Sequence, residues 1–264
     1  MNSYSDRWWE HFHEDEMADL LLERSPQELQ ATLAFFGKFV NLEHPITVFD
    51  QCCGAGHLSI ALAQAGATTV GVDLCGDYIR RGVRECRELD LQNRCQLEIA
   101  DAYQYVTSHP CDLAINWYSS FGYAMSDAQN VRMLQCAFES LRPGGYLLLD
   151  TPNFPSILRN FQKHMVQRGQ VCEREVVLIR TSEIDLDSGR LNQRWEWLKG
   201  DSEPTIRHSS LQLYWPHEIR QMLSGVGFSP VAMYGQTDGS GLTVDSPRAI
   251  FAAKRPDPVS GDAP

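Results

Sequence analysis

Two groups of residues carry chemistry by type and spacing: acidic and amide side chains where apolar runs stop, and glycines clustered directly after one of those runs. Asp50 is followed by Gln51, Cys52, Cys53, Gly54, Ala55 and Gly56. Glycine lets a backbone turn sharply and approach a ligand with no Cβ in the way. Asp73 stands 19 positions past Gly54, an offset at which a carboxylate can accept hydrogen bonds from both hydroxyls of a ribose. Asp101 ends "CQLEIAD" and can hold an adenine amino group; Asn116-Trp117 ends "CDLAINW" and faces the same crevice. The GxG unit runs into His57, Leu58 and Ser59 with no third glycine, so alone it reads equally as a structural turn. Its spacing to Asp73 favours a nucleoside site.

These residues sit at the tips of elements that hydropathy defines. "ITVFDQC" (46–52) is a short continuous apolar run, as in a strand buried on both faces. Strand and helix signals then alternate: a helix over 57–65, a strand over 69–73, and a helix opening at Asp77 with Ile79, Val83, Cys86 and Leu89 as its stripe. Strands follow at 95–101, 111–117 and 145–150, with a helix capped by Asp127 before the last. Such alternation predicts a parallel sheet covered on both faces, with ligands beyond the strands' carboxyl ends. Upstream, Ser25-Pro26-Gln27-Glu28 has capping-box spacing, and Leu29, Leu33, Phe36 and Val40 recur at helical spacing.

After Asp150 the pattern changes. The expectation is a helix from about 155 to 168, two β-rich runs joined at Asp187-Ser188-Gly189, and a third run, "TIRHSSLQLYW". A helix started by Pro216 and strands near 228–234 and 248–254 complete the chain.

The net charge over 264 residues is −11, which disfavours a phosphate backbone as partner, and no basic cluster offsets it. Apolar residues make up 43%, enough for a core. No run reaches the roughly 18 apolar residues of a membrane span. The acidic, aromatic start is unlike a secretory leader, so a cytoplasmic protein with reduced thiols is expected.

"VFDQCCGAGHLSIALAQAGATTVGVDL", "IADA", "CDLAINWYSSFGY" and "LRPGGYLLLD" together resemble the class I S-adenosylmethionine-dependent methyltransferases of small molecules, strongly over about 46–151. The resemblance implies a Rossmann-like α/β fold, a doubly wound, mostly parallel seven-stranded sheet of order 3-2-1-4-5-7-6. It implies S-adenosylmethionine as cofactor. Asp50, Gly54 and Gly56 would line the methionine end, Asp73 would hold the ribose, Asp101 and Ala102 would flank the adenine and Asn116 would lie below the sulfonium, with Cys53, Ala55, Leu74 and Trp117 also binding the cofactor. The organisation then reads as an N-terminal helical arm or lid (1–45), a cofactor core (46–152), an inserted helix plus antiparallel sheet (153–214) serving as acceptor pocket or dimer contact, completion of the sheet (215–255) and a disordered tail (256–264).

Methyl transfer from a sulfonium needs positioning above all, and a base only when the acceptor proton is held tightly. Tyr123, His208 and Tyr214 are candidate bases, each with a packing role as the alternative. Tyr123, Asn153, Arg194, Trp195 and Tyr214 are candidates for the acceptor pocket. Tyr4, Trp8, Trp9 and Phe12 form a lid over the cofactor or a packed core arm. Of Cys52 and Cys53, one packs and the other neighbours the loop. His11, His13, Glu14, Asp15 and Glu16 are metal-ligand types but read better as a polar face, so no metal is expected. Asn116-Trp117-Tyr118-Ser119 lacks the double proline of base-amine methyltransferases, which favours a small-molecule acceptor. The rivals are a nicotinamide oxidoreductase, which lacks a third glycine and a Tyr-x-x-x-Lys pair here, and a non-catalytic cofactor-binding protein.

Overall fold

Seven strands form the central sheet of the computed structural model, which describes residues 7–13, 24–171, 174–200 and 203–258. Tyr4, Glu14, Asp15, Glu16, Cys172, the His11 side chain and residues 259–264 lie outside the described set. The strands are β1 (Thr47–Gln51), β2 (Thr68–Asp73), β3 (Cys95–Ile99), β4 (Cys111–Asn116), β5 (Leu141–Pro152), β10 (Val231–Tyr234) and β11 (Arg248–Lys254). Their order is β3-β2-β1-β4-β5-β11-β10, with β11 antiparallel to β5, which is the expected 3-2-1-4-5-7-6.

The apolar runs fold this way because both faces of each strand are buried. Phe49 of β1 points to a core with Ala114, Leu147, Leu149 and Phe251. That core is covered by α5 (Asp127–Ser140) and α7 (Pro216–Val226). The neighbouring Val48 points to the opposite core, with Leu113, Ile115 and Leu148 under α2 (Pro26–Phe36) and α3 (His57–Gln64). Helix α4 (Gly76–Glu88) packs on the β2–β3 side through Ile79 and Cys86.

Local signals set the boundaries. The capping box of α2 is present: Glu28 N donates to Ser25 Oγ at 3.2 Å and Ser25 N to Glu28 Oε2 at 2.9 Å. Its buried face is Thr32, Phe35 and Phe36, flanked by Leu29 and Leu33. Helix α5 is capped by Ser126 rather than Asp127, because Ser126 Oγ accepts from Gln129 N.

The segment expected to be helical over 155–168 is different. Helix α6 covers only Phe154–Arg159; Asn160 turns its amide back to Ser156 O at 3.1 Å, and the chain continues as β6 (His164–Val171). Pairing explains the switch, since β6 lies antiparallel to β7 (Arg174–Asp185), which supplies backbone partners along its length. With β8 (Arg190–Lys199) and β9 (Thr205–Gln212), these strands form a four-stranded antiparallel sheet in chain order. The turn between β7 and β8 falls at Asp187-Ser188-Gly189; the Asp185 carboxylate accepts from Asp187 N and the Ser188 hydroxyl, and Gly189 has φ +69°. No described helix is long and apolar enough to cross a membrane. The seven described cysteines are free thiols.

Candidate functional site

The tips of β1, β2 and the segment after β3 enclose a cleft lined by polar and apolar side chains together. Its wall begins with the turn after β1. Cys52, Gly54 and Gly56 all have left-handed backbones, at φ 63°, 58° and 79°. Asp73, at the end of β2, holds this turn: its Oδ2 accepts from Gly54 N at 2.9 Å and its Oδ1 from Cys75 N at 2.8 Å. Each carboxylate oxygen keeps a lone-pair direction for a ligand hydroxyl. Helix α4 supports the turn from behind. A Cβ at Gly82 would stand 2.4 Å from Ala55 O, so only glycine admits this approach.

Three carboxylates face the cleft: Asp50, Asp73 and Asp101. Asp50 is buried and accepts from Ser59 Oγ at 2.7 Å; burial pushes its carboxyl up to about 7. Burial raises Asp73 as well, opposed by the backbone N–H groups of Cys75, Gly54 and Leu74. Asp101 accepts from Tyr103 N at 2.9 Å and pairs with the half-exposed Arg7 at 3.2 Å. Burial also drives the Cys52 and Cys53 thiols well above their ordinary range, so they are present as thiols, and both line the cleft.

Of the expected cofactor residues, Asp50, Cys53, Gly54, Ala55, Asp73, Leu74, Asp101, Ala102 and Trp117 line this one cleft. Gly56 does not; a Cβ there would meet Leu97 Cδ1 at 2.7 Å, so packing against β3 explains the glycine. Asn116 lies behind the wall: its Nδ2 donates to Gln51 Oε1 at 3.1 Å and touches the sulfur of Met133, which does line the cleft. Gln51 in turn donates to Ala102 O and Met133 O, joining three parts of the wall.

A second cavity opens between the core and the four-stranded sheet, and His13, Tyr118 and Tyr123 line both spaces. The N-terminal arm forms the partition. Helix α1 (Trp9–Phe12) and Trp8 stack on one another and on Tyr123, with a Trp8–Tyr123 centroid distance of 4.6 Å, and Trp8 Nε1 donates to Ser210 O. Trp9 and His13 of the arm line the first cleft, while Trp8 and Phe12 pack with Val176, Leu178 and Trp197 of the sheet. Burial lowers His13 to about 4 and keeps it a neutral imidazole; burial raises the Tyr123 phenol, which stays protonated.

Trp195 lines the second cavity. Four other expected residues do not. Tyr214 is in the core, donating to Asp127 Oδ1 at 2.6 Å and accepting from Asn130 at 2.9 Å. Asn153 is buried and ties down the loop after β10 through Thr243 O and Ser246 O. Arg194 pairs with Glu196, and His208 lies opposite Arg194 in the β8–β9 ladder, where burial and that guanidinium lower its pKa.

Residues beyond the sequence reading complete the site. Tyr118 and Ser119 adopt left-handed backbones that are costly for non-glycine residues, at φ 63° and 75°. Asp150 at the tip of β5 holds them: it accepts from Tyr118 N at 3.0 Å and takes a two-pronged Arg248 at 2.7 and 2.6 Å, while Arg248 also reaches Ser119 Oγ. Arg190 of β8, buried, donates to Tyr123 O, Ala124 O and Ser210 O and so pins the Tyr123 loop to the sheet. The Asp150–Arg248 pair is 98 residues apart in sequence and no local pattern announces it.

Residues 48–145 match a family model described as "Methyltransferase domain". A ubiquinone biosynthesis O-methyltransferase of Hydrogenovibrio crunogenus is 23% identical over 167 residues, 62% of this chain and 61% of that protein. The chain therefore spans under two thirds of that relative's length. Among solved structures, the CcbJ methyltransferase from Streptomyces caelestis superposes with a TM-score of 0.79 at 15% identity, over 96% of this chain and all of the other. The sugar N-methyltransferase KedS8 from a Streptoalloteichus species gives 0.74 at 16% identity, over 97% of each chain. At these identities the structural matches establish a shared fold.

Proposed function

We propose that this chain is an S-adenosylmethionine-dependent methyltransferase of class I, a reading its matching domain and its fold support, and that it transfers a methyl group to the oxygen or nitrogen of a small molecule held in the second cavity. One observation carries the reading: the cleft bearing Asp50, Asp73 and Asp101 and the cavity under the four-stranded sheet share a wall at His13, Tyr118 and Tyr123.

The cleft fits the cofactor. Asp73, preorganised by two backbone donors, receives the ribose hydroxyls; Asp101 and Ala102 flank the adenine beside apolar Leu74. Asp50 and the turn at Gly54 and Ala55 take the methionine end, where an anionic carboxylate favours an ammonium group. When bound, S-adenosylmethionine supplies a methyl group on a cationic sulfur, which departs as a neutral thioether without needing a proton.

The chain's own residues then provide position and exclusion of water. Trp9 and His13 roof the cleft, and Tyr118 and Tyr123 set where the two spaces meet. Holding the reacting atoms in line can contribute roughly 7–11 kcal/mol. Tyr123 acts as a protonated phenol that orients the acceptor rather than as a base. His13, neutral and lining both spaces, offers the junction a hydrogen-bonding imidazole whose affinity for a proton is lowered by burial. Free thiols at all described cysteines support a reducing, cytoplasmic setting.

The test is methyl-labelled S-adenosylmethionine offered with fractionated small-metabolite extracts. Label transferred to a small molecule, with S-adenosylhomocysteine formed only when that fraction is present, supports the reading. Cofactor binding without transfer to any fraction would instead favour a binding protein.

A further inference from the structure

We propose that the second cavity receives an oxyanion of the acceptor, a carboxylate or phosphate borne on an apolar or aromatic body, through the guanidinium of Arg180; this rests on the methyltransferase reading above.

The sheet face builds the site by alternation. Met165, Arg180 and Trp195 are register neighbours across β6, β7 and β8, and all three line the cavity. Arg180 lies over the Trp195 ring at 5.2 Å, and the Trp195 indole is itself fixed by donation to Ser209 Oγ at 2.8 Å. Among the described residues the hydrogen-bond acceptor of Arg180 is the Met165 sulfur, a weak one, and its enclosed Nε has no partner. Among the described residues no carboxylate pairs with Arg180. Burial without a charge partner holds its pKa below the ordinary arginine range. A partly buried guanidinium whose enclosed Nε lacks an acceptor is costly unless an anion completes it.

The charge distribution supports the same occupant. The chain carries 34 acidic residues against 23 basic ones, yet among the described residues the cavity lining contains Arg24, Arg180 and Arg248 and no Asp or Glu. Arg248 is committed to Asp150, and Arg24 stacks on the Tyr118 ring at 4.2 Å. Apolar surface from Phe12, Ile157, Phe161, Trp195 and Leu211 lines the same cavity. Arg180 does not line the first cleft, whose three carboxylates repel an anion. An acceptor with a charged and an uncharged end is therefore turned so that its uncharged end meets the junction at Tyr118 and Tyr123.

The experiment titrates benzoate, phenyl phosphate and neutral benzamide into the full chain saturated with S-adenosylhomocysteine, followed by calorimetry. At least one anion is expected to bind about tenfold or more tightly than benzamide. Raised salt weakens that preference. R180M should abolish the preference while leaving S-adenosylhomocysteine affinity and thermal unfolding near wild type. R180K, which keeps the charge without the planar fork, should keep part of it and more for phosphate than for carboxylate. Comparing the two anions identifies which oxyanion the site prefers. The proposal is overturned if benzamide binds as tightly as both anions, if neither anion binds at millimolar concentration, or if R180M keeps the preference. Failure of S-adenosylhomocysteine to bind would instead remove the methyltransferase reading, and the anion preference is then measured on the chain alone.

Discussion

Replacing Asp50 by Asn separates the effect of its charge from that of its shape. Asp50 is 3% exposed, and burial moves its carboxyl from the ordinary 3.8 to about 7. Between about pH 4 and 7 the folded state therefore holds a proton that the unfolded chain has released. For a group raised in the folded state, stability is fully present below the unfolded pKa and is lost as pH rises through the folded one. The gap from 3.8 to about 7 corresponds to about 4 kcal/mol at most. The Asp50→Asn variant keeps the side-chain shape and never ionises. In urea unfolding the variant-minus-wild-type difference should grow by roughly 2–3 kcal/mol from pH 5 to pH 8.5. A variant-minus-wild-type difference that is the same at both pH values would refute the reasoning, because Asp50 would then be ionised throughout. The cofactor adds a second reading. Wild-type affinity for S-adenosylmethionine should weaken as pH falls below about 7, while that of the variant should stay flat over the same range.

Asp73→Ala removes the acceptor of Gly54 N and Cys75 N as well as the ribose contact. Calorimetry should show affinity for S-adenosylmethionine lowered roughly 100-fold or more, with about 1–3 kcal/mol lost in unfolding; a folded variant with unchanged affinity refutes the assignment. Gly82→Ala places a Cβ 2.4 Å from Ala55 O and 2.5 Å from Leu97 Cδ1, so it should cost about 1–3 kcal/mol and weaken the cofactor by displacing the turn. Gly225→Ala, with nothing within 4 Å, should be neutral or stabilising, and a Gly82 variant that behaves like it would remove the claim that α4 buttresses the turn.

The sheet was legible because strands buried on both faces read as continuous apolar runs, and because glycines mark the turn after the first of them. The grouping of Asp50, Asp73 and Asp101 around one cleft followed from that placement, since residues at strand tips share one side of the sheet. The acceptor side was harder for a physical reason. Tyr214, Asn153 and Asn116 are polar residues near strand tips, like Asp73, yet each spends its polar group inside the protein, on Asp127, on the Thr243–Ser246 loop and on Gln51. Sequence does not distinguish a side chain bonding a ligand from one bonding the fold. Strand β6 was hidden because its partner across the sheet, rather than local propensity, determines its conformation. Arg248, Arg190 and Arg180 act through contacts distant in sequence, to Asp150, to the Tyr123 loop and to the cavity.

A crystal structure of the chain with S-adenosylhomocysteine tests the central claim most directly. The account predicts both ribose hydroxyls on the Asp73 carboxylate, adenine beside Asp101 and Ala102, and sulfur directed at the junction of the two spaces near Tyr118 and Tyr123. Ribose bound away from Asp73, or sulfur facing away from the second cavity, would contradict it.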